Sequence, residues 1–196
     1  MKKLEIGPRF EGFLGKDWDT LDIVERPGLT YLADKTDPFA KISDNFYDLI
    51  YVSHVLEHIP WYNVVAYLKE MYRILESGGT VEIWVPDFRK IIQVYLNAKE
   101  TDGWKGPAYI EGKNKKNFLE FGEFNRFMWI LGRTFAYEEK TGDENLHKGA
   151  FDEEHLRFCL KIAGFCDIKK LDKPRGYDHG WINLGMSGRK NAGTLE

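Results

Sequence analysis

Apolar residues recur along this chain with two different spacings, and stretches of the two kinds alternate. Short runs rich in β-branched, aliphatic and aromatic residues predict strands. Longer stretches with apolar positions three and four residues apart predict amphipathic helices. The predicted strands cover residues 3–6, 20–24, 29–33, 48–52, 80–85, 165–171 and 181–187. The predicted helices cover residues 61–76, ended by 77–79, then 88–98, about 117–131, and a last one between Asp152 and Gly164.

This alternation of strand and helix predicts parallel βαβ units, because a parallel strand needs a crossover connection. The last two strands are close enough along the chain to pair antiparallel around a turn-rich connection. Residues 101–148 break the pattern with a charged, aromatic insertion, and loops of that size in a compact domain are usually functional or disordered. We therefore expect one domain over residues 1–196, with 101–148 as a cap over the substrate.

Composition narrows the choice of partners. The 196 residues carry a net charge of −3, which argues against a general nucleic-acid binder and favours a small molecule or a glycan. The first residues, MKKLEIG, lack the apolar core of a signal peptide, and no run of about 18 apolar residues could span a bilayer. We expect a cytoplasmic protein without a membrane segment. The spacing of Cys159 and Cys166 indicates buried thiols rather than a metal or redox pair.

Acidic residues and a glycine fall at the ends of the first three predicted strands. Glu5 and Gly7 belong to the first, Asp22 to the second, and Asp34 follows the third. The carboxyl ends of parallel strands meet at one edge of the sheet, where ligands bind. Backbone amides beside a glycine and carboxylates that accept from ribose and adenine suit a nucleoside. The G-x-G-x-x-G pattern expected for NAD is absent from GPRFEG.

Four segments together carry a family resemblance: KLEIGPR, TLDI, SDNFYDLIYVSHVLEHI and RILESGGTVEIWVPD. With them the chain resembles the class I S-adenosylmethionine-dependent methyltransferases, and within these the methyltransferase type 11-like group. The likeness runs through about residues 3–88, and HKGAFDEEHLRFCLKIAGF is similar to the C-terminal part of compact bacterial members. It implies a Rossmann-like, mostly parallel seven-stranded sheet with helices on both faces, and S-adenosylmethionine as cofactor.

The resemblance also implies roles for the residues at the sheet edge. Glu5 and Gly7 would form the first cofactor motif, Asp22 would bind the ribose, and Asp34 would lie near the adenine. The activity implied is methyl transfer to a small-molecule or glycan acceptor.

Two more positions are implied at the other end of the cofactor, where the strand over 48–52 ends. Ser53 and His54 would border its methionine part and the methyl group. The chain departs from the family at Arg9, where a second glycine is usual; its guanidinium is suited to holding the cofactor carboxylate instead.

The sulfonium already activates the methyl group, so the protein mainly has to align the acceptor. An acceptor that loses a proton needs a base as well. His54 is the first candidate and His147, in the insertion, the second, because a neutral imidazole near pH 7 suits that role.

Two alternatives remain open from the sequence. A protein of this fold could bind the cofactor without catalysis. His54 to His58 also satisfies H-x-x-E-H, the inverted zinc-peptidase pattern, as HVLEH. Zinc hydrolysis would require the pattern within a helix and a third ligand, whereas here it follows a strand directly and Pro60 comes two residues later. We therefore expect no metal.

Overall fold

A computed structural model describes residues 1–8, 14–34, 36–98, 126–135 and 146–193 of the chain. Its seven strands form one sheet in the order β3-β2-β1-β4-β5-β7-β6. They are β1 (Lys3–Ile6), β2 (Asp19–Asp22), β3 (Tyr31–Leu32), β4 (Tyr47–Ser53), β5 (Leu75–Pro86), β6 (Cys166–Leu171) and β7 (Asn183–Arg189). Strands β1 to β5 pair in parallel, and β7 is antiparallel to both of its neighbours. The fold is the predicted Rossmann-like, mostly parallel α/β sheet.

Four α-helices accompany the sheet in the described part of the chain. They are α1 (Val64–Ile74), α2 (Phe88–Asn97), α3 (Arg126–Phe135) and α4 (Glu153–Ala163). The apolar stripe of α1 includes Val64, Leu68 and Met71, which are fully buried at the spacing of one helix face. Helices α1 and α4 pack against each other and, with the apolar face of the sheet, enclose the main core.

The opposite face of the sheet is more polar. Tyr51 lies beside Glu5 and Glu82 in the register of β1, β4 and β5. Its hydroxyl accepts a hydrogen bond from the backbone of Gly176 at 3.2 Å, and Arg175 forms a bidentate ion pair with Glu82. The connection from β6 to β7 therefore lies across this face and is anchored to it.

The end of α1 differs from the prediction. The sequence predicted that Ser77-Gly78-Gly79 ends a helix and that a strand begins at Thr80. Instead α1 ends at Ile74, and β5 begins at Leu75, which pairs with Tyr47 across a register shift. Pairing with the long strand β4 outweighs the local helix signal, and the two glycines lie in an irregular strand.

Strands β2 and β3 are shorter than predicted, whereas the last helix is as expected. The side chain of Asp152 accepts from the backbone amide of His155 at 2.9 Å, which caps α4. Gly164 ends the helix with a φ of 106°, a left-handed conformation that favours glycine. Helix α3 overlaps the helix predicted at about 117–131; residues 117–125 lie outside the described residues.

Candidate functional site

The candidate site lies where strand order reverses. Strand β1 is the neighbour of both β2 and β4, so the connections that follow β1 and β4 leave a crevice at the carboxyl edge of the sheet. Gly7, directly after β1, has a φ of 66° and donates its amide to the Leu21 carbonyl at 2.9 Å. A Cβ built at Gly7 would lie 2.2 Å from Cγ2 of Val55. The two connections therefore touch, and only glycine fits between them.

Glu5 is buried on β1 and binds the backbone where the following loop ends. Its carboxylate accepts from the backbone amide of Leu14 at 2.8 Å. Burial raises the pKa of Glu5, while the bond from Leu14 and the charge of Arg26 act in the opposite direction. The loop after β1 is thus tied back to the sheet by a carboxylate that the sequence singled out.

Asp22 ends β2, as predicted, but its carboxylate is already engaged. One oxygen accepts from the amide of Val24 at 3.0 Å, and the other forms an ion pair with Arg26, both side chains being largely buried. A carboxylate has about four lone-pair positions, so two remain for a ligand.

The other residues predicted to bind the cofactor differ in how far they are exposed. Asp34 is exposed and accepts from Thr36, whose hydroxyl and amide lower the pKa of Asp34. Ser53 is half-buried at the end of β4. Arg9 lies outside the described residues.

His54 follows β4 in a left-handed conformation, with a φ of 55°. Its Nδ1 lies 3.1 Å from Oε1 of Glu57, and its Nε2 lies 2.9 Å from Oδ1 of Asn183. The side-chain nitrogen Nδ2 of Asn183 donates to Asp178, and this bond orients Oδ1 of Asn183 toward the imidazole. Both ring nitrogens therefore face oxygens that can accept a hydrogen bond. The ring also stacks on His179 with 3.7 Å between centroids.

Glu57 is the centre of this region. It lies in a short 3₁₀ helix, Leu56–His58, and only 2% of it is exposed. Burial raises its pKa, but His54, His58 and His147 outweigh that effect and lower the pKa to about 2. Glu57 is thus a buried carboxylate whose ionised form is favoured by the neighbouring imidazoles, His54 above all.

His147, the second predicted base, lies at the far end of the insertion and joins His54, Glu57 and His58 in one cluster. Its backbone amide donates to Phe135 at 3.1 Å, and the next two amides donate to the carbonyl of Glu57. Burial lowers the pKa of His147 to about 4, partly opposed by the charge of Glu57. The ring packs edge-on against His58 at 5.0 Å. Glu57 and His147 also line a recess of about 10 Å³ between β5, α2 and α3.

The sequence selected two members of this cluster and missed the residues that connect them. Glu57 entered only as part of H-x-x-E-H, and Asn183 and His179 not at all. Asn183 is 129 positions from His54, so no local spacing could have linked them. The pattern is not presented on a helix as the peptidase hypothesis requires, because His54 precedes the 3₁₀ helix and bonds to Asn183.

A family model described as a methyltransferase domain matches residues 11–128, more than half of the chain. A search of the curated proteins finds no match to this chain. Among the described residues, no helix is long and apolar enough to cross a membrane.

Solved structures share the fold at low sequence identity. A SAM-dependent methyltransferase from Archaeoglobus fulgidus is 16% identical, with a TM-score of 0.56, over 96% of this chain and 86% of that one. A SAM-dependent methyltransferase from Thermotoga maritima, described as a possible histamine N-methyltransferase, is 18% identical, with a TM-score of 0.52, over 97% and 82%. The 1,6-didemethyltoxoflavin-N1-methyltransferase of Burkholderia thailandensis, solved with that substrate and S-adenosylhomocysteine, is 16% identical, with a TM-score of 0.51, over 96% and 70%.

Proposed function

The chain belongs to the methyltransferase-domain family and is an S-adenosylmethionine-dependent methyltransferase, and we propose that it methylates a small-molecule or glycan acceptor above the carboxyl ends of β4 and β5. The observation that carries this proposal is the buried cluster around Glu57, which stands beside the crevice between β1 and β4. An ionised carboxylate and three imidazoles are more than the fold needs there, and perturbed groups of this kind concentrate at functional sites.

The residues at the sheet edge fit the cofactor. Gly7 brings the backbone after β1 close to the connection after β4, and Asp22 keeps two lone-pair positions for the ribose hydroxyls. Arg26 has to share Asp22 with the ribose. Ser53 and His54, at the end of β4, are proposed to border the methionine end of the cofactor.

The remaining cofactor residues are proposed with more limited roles. Glu5 acts by holding the loop after β1 through Leu14. Asp34 would have to turn from Thr36 to reach an adenine amino group. Arg9 is proposed for the cofactor carboxylate on the chemistry of its guanidinium alone.

When bound, S-adenosylmethionine supplies a methyl group already activated by its sulfonium. This chain's residues then have to align the acceptor, exclude water and take up any proton. We propose His54 and His147 for the proton. His147 is neutral near pH 7 but a weak base, because burial lowers its pKa to about 4. For His54 to act as the base, one ring nitrogen must carry no proton and must turn from Asn183 or Glu57 toward the methyl acceptor.

We further propose that residues 1–196 form one domain in which residues 101–148 cap the acceptor. The anchoring of residues 147–149 to Phe135 and Glu57 supports this, since it fixes the end of the insertion beside the cluster. Cys159 and Cys166 are free thiols, in keeping with a reducing, cytoplasmic compartment. The net charge of −3 favours a small acceptor over a nucleic acid.

The test is methyl transfer from labelled S-adenosylmethionine into separate small-molecule, oligosaccharide and nucleic-acid fractions of an extract. A second protein carries a short linker in place of residues 101–125, which keeps α3 and His147. We expect the parent to label a fraction, and the linker variant to bind S-adenosylhomocysteine unchanged while losing turnover. A linker variant that methylates the same acceptor at the parental rate rules out the cap. Labelling confined to nucleic acid rules out the acceptor class.

A further inference from the structure

We propose that Glu57, His58 and His147 form a binding site for a divalent first-row transition-metal ion, with one coordination position open toward the recess beside β5. One potential ligand atom from each residue lies within 4.8 Å of the other two. Ligand atoms about 2.1 Å from a common ion can be up to about 4.2 Å apart, so small side-chain rotations close the site.

Two of the three residues carry buried polar atoms that lack a hydrogen-bond partner. Oε2 of Glu57 and Nδ1 of His58 are buried and have no hydrogen-bond partner among residues 1–8, 14–34, 36–98, 126–135 and 146–193. A buried donor or acceptor without a partner costs about 1–3 kcal/mol. Two such atoms on adjacent residues of this group favour a ligand that binds both.

The surroundings match the way proteins support metal ligands. Oε1 of Glu57 lies 3.1 Å from Nδ1 of His54, which leaves Oε2 for an ion. The imidazole of His147 is hydrogen-bonded to the backbone of Thr134. A bond of that kind makes one ring nitrogen the donor and leaves the other with a lone pair. Ligating carboxylates and histidines are usually oriented by such second bonds.

The donor set indicates which ions fit. Two imidazoles and one carboxylate suit Zn²⁺, Fe²⁺, Mn²⁺ or Co²⁺, whereas Mg²⁺ prefers oxygen ligands and retains its water. Three protein ligands leave at least one position for a further ligand. The recess lined by Glu57 and His147 has a free volume of about 10 Å³, room for about one water-sized group.

The recess also indicates what that further ligand is. Arg133, 3% exposed, lines it together with Glu57 and His147. An anionic oxygen in the open position would be attracted both by the ion and by the guanidinium of Arg133. This step rests on the proposed function: the open position would hold an anionic oxygen of the methyl acceptor. His147 would then be a ligand, and His54 the remaining base.

The proposal is compatible with the family, unlike the peptidase hypothesis. The hydrolase pattern needs both histidines of HVLEH as ligands, but here His54 bonds to Asn183 and the second imidazole comes from His147. The same five residues thus contribute two ligands, Glu57 and His58, to a site that the sequence pattern alone does not define.

The metal alone is the first probe. The full chain is stripped with EDTA and titrated with Zn²⁺, Mn²⁺ and Co²⁺ by calorimetry, and bound metal is measured by mass spectrometry. We expect saturation at about one ion per chain. Glu57→Gln, His58→Gln and His147→Gln should each weaken binding by at least about tenfold. His155→Gln, an exposed histidine on α4, is the matched control and should bind like the parent.

The outcomes separate the two claims. If the parent protein takes up no ion, the metal site is ruled out. This result does not depend on whether the variants fold. Affinity unchanged in His147→Gln overturns this choice of ligands. S-adenosylhomocysteine is also titrated into the EDTA-stripped protein. If this protein binds S-adenosylhomocysteine but takes up no metal, only the metal site is ruled out. If it does not bind S-adenosylhomocysteine, the proposed function is ruled out.

The open position has its own probe. Formate, the smallest carboxylate, is added to the Co²⁺-loaded protein while the visible absorption of the cobalt is recorded. We expect a saturable spectral shift that Arg133→Met weakens. A Co²⁺ spectrum that formate leaves unchanged means that no anionic oxygen reaches the ion, which overturns the role in holding the acceptor.

Discussion

Replacing Gly7 by alanine tests whether packing, and not only cofactor binding, requires glycine at the end of β1. The new Cβ would lie 2.2 Å from Cγ2 of Val55, and a φ of 66° is unfavourable for any residue with a Cβ. The left-handed conformation costs about 1–2 kcal/mol. Overpacking at a filled site adds about 1–3 kcal/mol. We therefore expect Gly7→Ala to lower the free energy of unfolding by about 2–5 kcal/mol.

The two contributions can be separated by a second substitution. Val55→Ala removes Cγ2, so the double variant should recover the steric part, about 1–3 kcal/mol, but keep the backbone strain. Urea denaturation of the parent, both single variants and the double variant gives the coupling energy. A Gly7→Ala variant within about 0.5 kcal/mol of the parent, or additive effects of the two substitutions, would show that Gly7 and Val55 do not pack as described.

Two further predictions concern carboxylates that the structure engages differently. Asp22→Ala should weaken S-adenosylhomocysteine binding about 5–150-fold, the loss of charge-assisted bonds worth about 1–3 kcal/mol; unchanged calorimetric affinity in the folded variant removes Asp22 from the site. Asp152→Ala should destabilise the protein by about 0.5–2 kcal/mol through loss of the α4 cap, with Asp152→Asn retaining most of the stability. The backbone bond from His155 lowers the pKa of Asp152, so its stabilisation is present above the ordinary aspartate range and is lost as the pH falls through the folded pKa. The difference between parent and Asp152→Ala in thermal melts should therefore shrink in acid; a constant difference contradicts the cap.

The sequence predicted the sheet because each strand carries its own signal. The apolar run of β4 is typical of a central strand buried on both faces, and residues such as Asp152 and Gly164 mark helix ends through local backbone chemistry. Prediction failed where a distant partner decides. The start of β5 at Leu75 depends on its pairing with Tyr47, which no window around Ser77-Gly78-Gly79 contains.

The candidate site also has parts that the sequence predicted and parts that it did not. The motif resemblance identified the class I S-adenosylmethionine-dependent methyltransferases, which the family match and the fold confirm. It also placed Asp22 and His54 at strand ends, where they lie. It did not reveal that Arg26, four residues further along the chain, forms an ion pair with Asp22. It could not anticipate that His147 joins His54 around Glu57, because that arrangement arises only once the insertion returns to the sheet edge.

The central claim is that the crevice between β1 and β4 binds S-adenosylmethionine for methyl transfer. Calorimetric titration of the parent protein with S-adenosylhomocysteine tests it most directly, with Asp22→Ala measured alongside. We predict saturable binding of one ligand per chain, weakened by the substitution. A parent protein that releases no heat of binding and shows no thermal stabilisation by S-adenosylhomocysteine would contradict the assignment of this site.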